Sequence, residues 1–123
     1  EIAKTRTLVH KYVRLRDTGK PCISSGIPWQ KDFEAGHCFS QKSYNDLRFD
    51  LENIHGQSIN ANRFNEGDEQ NYLLNLPYRI GKERTESLKK RAELSKRYTK
   101  HWTRTELKQI REEVKKLIKE IEQ

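Results

Sequence analysis

Apolar positions recur at helical spacing near both ends of the chain and lose that spacing in the middle. From Ile2 to Arg16, Leu8, Val9, Tyr12, Val13 and Leu15 fall three and four residues apart with Lys and Arg between them, which predicts an amphipathic helix. The pattern stops at Asp17-Thr18-Gly19-Lys20-Pro21, where Gly19 can take a left-handed cap and Pro21 forbids continuation. Toward the C-terminus, Leu107, Ile110, Val114, Leu117 and Ile121 form a narrow seam, and Thr103 with Glu106 three residues on spells a capping box. The seam predicts a helix docked on the protein's own body, with a homodimeric coiled coil as the alternative. Residues 68–98 read as helical with an interruption from Pro77 to Gly81.

The centre differs. Residues 22–57 lack helical periodicity and contain Gly26, Pro28, Gly36 and Gly56, which predicts loops and short strands. Strands near 32–35 and 38–40 would form a small hairpin covered by Trp29, Phe33 and Phe39, followed by a short helix over about 58–65. No internal repeat or low-complexity segment is present. A length of 123 residues accommodates one domain: an N-terminal helix (1–20), a compact core (21–67) and a helical extension (68–123).

Composition sharpens this division. Hydrophobic residues are 33% and charged residues 35% of the chain, so the core must be thin and the helices one-faced. Six basic residues face two acidic ones in 1–20, five face eight in 21–81, and fourteen face eight in 82–123. Basic flanks suit a phosphate backbone, and an acidic centre suits a divalent cation. Two cysteines with neither a signal peptide nor a long apolar run predict a soluble, cytoplasmic chain that does not enter a membrane. With no Met anywhere, the native start is expected upstream of Glu1.

The candidate chemistry lies between Glu34 and Phe64. His37 follows a glycine and has Glu34 three residues before it; a neutral imidazole there can take a proton from water near neutral pH. Phosphodiester hydrolysis pairs a poor nucleophile with an anionic target, and one base plus one divalent metal addresses both. In "ENIHGQSINANRF", Asn53, His55 and Asn62 offer groups that accept hydrogen bonds or coordinate a hard cation, although each asparagine taken singly is as readily a turn residue.

The order of these residues carries more than any one of them. A hairpin His, an Asn-Ile strand sixteen residues on and an Asn in a following short helix resemble the HNH (ββα-metal, His-Me finger) endonucleases. More closely, "YVRLRDTGKPCIS", "EAGH", "LRFDLENIHGQS", "NRF" and "YRIGKER" resemble the NinG/Rap recombination nucleases of lambdoid phages, over residues from about 10 to 92. The resemblance implies an α+β fold, mainly helical, with a small ββα-metal centre flanked by long amphipathic helices. It implies His37 as general base, Asn53 as the residue supporting its loop, and Asn62, His55 and Glu34 around one divalent cation, Mg²⁺ or Mn²⁺. Many HNH enzymes carry Asp directly before the catalytic His, where this chain has Gly36.

The family pattern also includes two C-x-x-C pairs that staple the fold with zinc. Here those four positions read Cys22, Ser25, Ser58 and Ala61; one thiolate cannot hold a structural zinc, so none is expected and the flanking helices must compensate. The resulting expectation is a metal-dependent endonuclease hydrolysing branched DNA such as Holliday junctions, with Arg14, Arg16, Arg48, Arg63 and Arg97 on the phosphates. The alternatives are a catalytically inactive DNA-binding relative and a partner-binding protein that uses the C-terminal seam.

Overall fold

The computed structural model describes residues 1–64, 66–97 and 99–123. The elements run α1 (Ile2–Arg16), β1 (Glu34–His37), β2 (Ile54–Gln57), α2 (Glu69–Ile80), α3 (Lys82–Ser95) and α4 (Arg104–Glu122). Single turns of 3-10 helix at Asn45–Leu47 and Glu66–Asp68, and of π-helix at Asn60–Phe64, lie between them. Helix α1 has the predicted limits, and Gly19 beyond it takes φ +83°, the left-handed geometry expected there.

Strands β1 and β2 pair antiparallel, Glu34 with Gln57, Ala35 with Gly56, Gly36 with His55 and His37 with Ile54. The predicted second strand at 38–40 does not form. Instead the chain turns through residues 38–53 before pairing at Ile54, because Phe39 is drawn into a core with Tyr72 and Asn53 clamps the loop. Residues directly opposite share a face of the sheet. Ala35 and Ile54 therefore meet Val9 and Val13 of α1 and Leu107, Val114 and Ile118 of α4, whereas His55 faces Tyr72 of α2. A second core of Ile23, Cys38, Phe39, Leu47, Tyr72, Leu76, Leu88 and Ala92 lies on that other side. Trp29 and Phe33 do not share it with Phe39; they pack with Cys22 and Ala61 in a third, smaller cluster.

Two further expectations shift. Pro77 sits inside α2, and the helices separate only at Gly81, whose φ of +92° turns the chain while its N–H caps the Pro77 carbonyl at 2.9 Å. In α4 the buried stripe runs Leu107, Val114, Ile118, and Ile121 is 43% exposed. A straight helix drifts about 20° per heptad from a strict 3.5-residue repeat, so the face packed on α1 passes to Ile118. Thr103 and Glu106 form the reciprocal cap: the Thr103 hydroxyl accepts from the Glu106 N–H at 3.1 Å, and the Glu106 carboxylate accepts from the Thr103 N–H at 3.0 Å. Thr103→Ala is expected to cost about 1 kcal/mol, read as a lower urea midpoint with unchanged slope. No helix among the described residues is long and apolar enough to cross a membrane.

Candidate functional site

His37 ends β1, partly buried, on the face that meets α1. Its Nε2 lies 2.9 Å from the Arg48 carbonyl oxygen. A carbonyl only accepts, so Nε2 carries the hydrogen and the Nδ1 lone pair remains available. Burial, the largest influence, holds His37 below its ordinary value; the Arg48 and Arg6 charges act the same way, and the bond to the Arg48 carbonyl opposes them. The imidazole is therefore neutral near neutral pH.

Asn53 fixes the loop that places this group. It is fully buried; its amide donates to the Phe39 carbonyl at 2.9 Å and the Leu47 carbonyl at 3.1 Å, and its Oδ1 accepts from the Phe39 N–H at 2.8 Å. Its own carbonyl accepts from the Cys38 N–H, directly after His37. Arg48, whose carbonyl sets the His37 tautomer, follows Leu47 by one residue.

Asn62 and Glu34 form the second part of the centre. The Asn62 amide donates to Glu34 Oε1 at 3.0 Å, and Arg63 pairs with the same carboxylate through Nε and Nη2. That hydrogen bond from Arg63 holds Glu34 below the usual carboxylate range. Asn62 Oδ1 points inward, 3.0 Å from where a Cβ on Gly36 would stand. His10, Arg14, Phe33, Glu34, Ala35, Asn62 and Arg63 line an open cleft of about 290 Å³. His37 and Asn62 make no direct hydrogen bond; His10 links them, lining the cleft with Asn62 while its ring lies 5.7 Å from that of His37.

His10 was not legible as a site residue, since it sits among the basic residues of an amphipathic helix. Burial, followed by the His37, Arg14 and Arg6 neighbours, lowers it to about 4, so it too is neutral. Its Nε2 has no hydrogen-bond partner among the described residues. Arg6, also missed, adds its charge to this rim beside Arg14, Arg48 and Arg63.

Two residues named from the sequence stand apart from the cleft. His55 is 2% exposed, packed against α2 and outside the cleft that Glu34 and Asn62 line. The Tyr72 hydroxyl donates to the Gly36 carbonyl at 2.7 Å, so its oxygen accepts from His55 Nδ1 at 3.2 Å. The chain of bonds supports β1 from behind. Arg16 does not face a ligand either: it bonds Asp17, the Leu51 carbonyl at 3.0 Å and the Ile54 carbonyl at 2.6 Å. Asp17 in turn accepts from the Gly56 N–H at 2.8 Å, which ties the end of α1 to β2. Burial works against its charge, but Arg16 and the Gly56 N–H outweigh it and hold Asp17 below its ordinary value. Arg14 and Arg97 are exposed, and Arg97 lies just past α3.

Burial lowers His55 to about 3 from an ordinary 6.5. An unfolded His55 takes a proton first as pH falls, so stability is full above about 6.5 and declines from there toward 3. The expected loss is about 1.4 kcal/mol per pH unit across that window. Urea unfolding at stepped pH should show this slope, reduced in His55→Gln.

The four positions of the family's cysteine pairs still converge. Cys22 Sγ accepts from the Ser58 N–H at 3.2 Å and the Ser25 N–H at 3.4 Å, with the Ser24 and Ser58 hydroxyls at 3.6 and 3.7 Å. Ala61 packs beside it, and its N–H donates to the Ser58 hydroxyl at 3.2 Å. Burial alone would raise the thiol, but these hydrogen bonds bring Cys22 down to about 7. Cys38 is buried in the other core, and burial pushes it up to about 12; both cysteines are free.

A two-stranded sheet between helical layers, with an imidazole and a carboxamide at its polar end, defines a small, mainly helical protein with a solvated centre. The family described as "Bacteriophage Lambda NinG protein" matches residues 2–123, and the chain belongs to it. It is 33% identical over 111 residues to "Protein ninG" of Enterobacteria phage H19B, covering 89% of this chain and 52% of that protein. It is 31% identical over 121 residues to "Protein ninG" of Escherichia phage lambda, covering 98% of this chain and 56% of the relative. The Salmonella phage P22 protein of the same name is also 31% identical over 121 residues, with 98% and 57% covered. The chain thus spans about half the length of the curated relatives it matches. No solved structure matches it significantly.

Proposed function

We propose that the chain holds the catalytic centre of a metal-dependent DNA endonuclease of the HNH type, acting on branched DNA. The observation that carries this reading is the bond from His37 Nε2–H to the Arg48 carbonyl, which leaves a neutral imidazole with Nδ1 open beside a cationic rim. His37 removes a proton from the attacking water at Nδ1, and the Arg48 carbonyl stabilises the imidazolium that results. Asn53 holds that carbonyl's loop in place. Arg6, Arg14, Arg48 and Arg63 attract and orient the phosphates.

Asn62 and the Glu34 carboxylate, hydrogen-bonded side by side in the open cleft, are the oxygen donors that would hold a hard cation. Mg²⁺ or Mn²⁺ bound there would polarise the phosphodiester and neutralise charge that develops on its oxygens. Branched DNA is the substrate class implied by the resemblance to recombination nucleases.

The Ser and Ala residues in the cysteine-pair positions favour a second reading, a DNA-binding relative without catalysis. Cleavage of a labelled four-way junction in Mg²⁺ and in Mn²⁺, beside duplex and single-stranded DNA, separates the two. Metal-dependent cuts on the junction are expected; tight binding with no cuts would favour the second reading. In the binding arm, affinity should fall steeply with salt, and Arg14→Ala should weaken all sequences alike and reduce the salt slope by about one.

A further inference from the structure

We propose that a hollow beside Trp29, adjoining the catalytic cleft, takes up one unstacked nucleotide of the DNA, its base on the indole and its phosphates on Lys11, Arg14 and Lys31. This rests on reading the centre as a nuclease and names what such a centre recognises at a branch. Leu15, Trp29 and Phe33 form the apolar part of a cavity of about 260 Å³, and the three cations stand around it.

Trp29 is a fixed platform. It is half-buried, packed from behind on the cluster of Cys22, Phe33 and Ala61, and it lines the cavity with the rest of its surface. Its indole N–H makes no hydrogen bond among the described residues. A rigid aromatic face with an unused donor suits a flat heteroaromatic ring, and every nucleobase offers a π-face to stack on it. The charges name the rest of the ligand. Lys11, Arg14 and Lys31 are exposed and form no ion pair among the described residues. Asp17 borders the cavity as well, but its carboxylate is engaged by the Arg16 guanidinium and the Gly56 N–H, each at 2.8 Å, with Arg79 at 3.6 Å. The field at the rim is therefore positive, and an anion joined to a flat ring matches it.

The hollow and the cleft share a wall. Arg14 and Phe33 line both, with His10 and Asn62 on the cleft side. Helix α1 explains this: Lys11, Arg14, Leu15 and Thr18 recur three and four residues apart along the hollow, and His10 lies one turn before Arg14 on the side of the cleft. A strand whose phosphate reaches the cleft at Arg14 thus carries a neighbouring base to Trp29. In an intact duplex that base is paired and stacked, and withdrawing it is costly; at a branch point or in a single strand the cost falls. The hollow converts a general phosphate-binding face into one that favours junctions.

The test is equilibrium binding of a labelled single strand, its duplex and a four-way junction to the full chain in EDTA, with urea midpoints recorded for every variant. Trp29→Ala should weaken single-strand and junction binding by about tenfold or more, as loss of one base–aromatic stack does, and duplex binding by less than about twofold. Trp29→Leu, which keeps apolar volume in the cluster but not the π-face, should show the same loss, and Trp29→Phe should recover most of it. Lys31→Ala, on an exposed side chain, should lower the salt slope for the single strand by about 0.7. Equal losses on duplex and single strand, wild-type single-strand affinity in Trp29→Leu, or no single-strand binding by the native chain at low salt overturns the assignment. Junction cleavage in Mg²⁺ with single-strand affinity indifferent to residue 29 would reject the nucleotide site and leave the nuclease reading intact. Single-strand binding that depends on Trp29, in a chain that cuts no DNA in Mg²⁺ or Mn²⁺, would keep the site and reject the nuclease reading.

Discussion

His37→Ala is expected to slow cleavage of a four-way junction by about 10²–10⁴-fold, the contribution of a positioned general base, while DNA affinity changes by less than about twofold. The asymmetry follows from where the group acts. In the proposed mechanism Nδ1 meets only the attacking water and contributes to the transition state far more than to ground-state binding. In that mechanism phosphate attraction resides elsewhere, in Arg6, Arg14, Arg48 and Arg63. Single-turnover cleavage and equilibrium binding on one junction check both halves. Normal cleavage by the variant would remove His37 from the mechanism.

The second large effect is on stability. Asn53→Ala deletes three fully buried hydrogen bonds and strands the Phe39 N–H and the Phe39 and Leu47 carbonyls. Each stranded group costs about 1–3 kcal/mol, and partial relaxation of the loop should bring the total to about 3–5 kcal/mol by urea unfolding. The folded fraction should still cleave, more slowly than wild type but faster than His37→Ala, because loosening the loop misplaces the base without removing it. Equal stability of Asn53→Ala and wild type would contradict the clamp.

Local signals were the legible ones. The limits of α1, the Thr103–Glu106 cap and the turn at Gly19 depend on residues a few positions apart, and all three stand where the periodicity and cap residues put them. His37, Asn53 and Asn62 were legible as an ordered set, and the fold assigns each a separate contact: a tautomer, a loop clamp and a cleft wall. Pairing was not legible, because β1 and β2 are separated by sixteen residues without periodicity. Consequently the sequence predicts a second strand at 38–40, which the pairing moves to 54–57, and groups His55 with His37 although alternation puts them on opposite faces of the sheet.

Arg14 and Arg16 show the same limit at closer range. They are two positions apart on one basic helix, yet the turn of the helix leaves Arg14 exposed and aims Arg16 at the carbonyls of Leu51 and Ile54. His10 and Gln57 depend on approach across the fold: one reaches His37 from α1, the other fills a space beside Gly36. Nothing in the neighbouring sequence of either residue encodes that approach.

The central claim is that one nitrogen, His37 Nδ1, is an unprotonated base at neutral pH, and the ¹⁵N chemical shifts of the His37 ring test it most directly. Long-range ¹H–¹⁵N correlation on the labelled chain should give a protonated, pyrrole-type Nε2 and an unprotonated, pyridine-type Nδ1. An Nδ1–H tautomer, or a doubly protonated ring at neutral pH, would contradict the account.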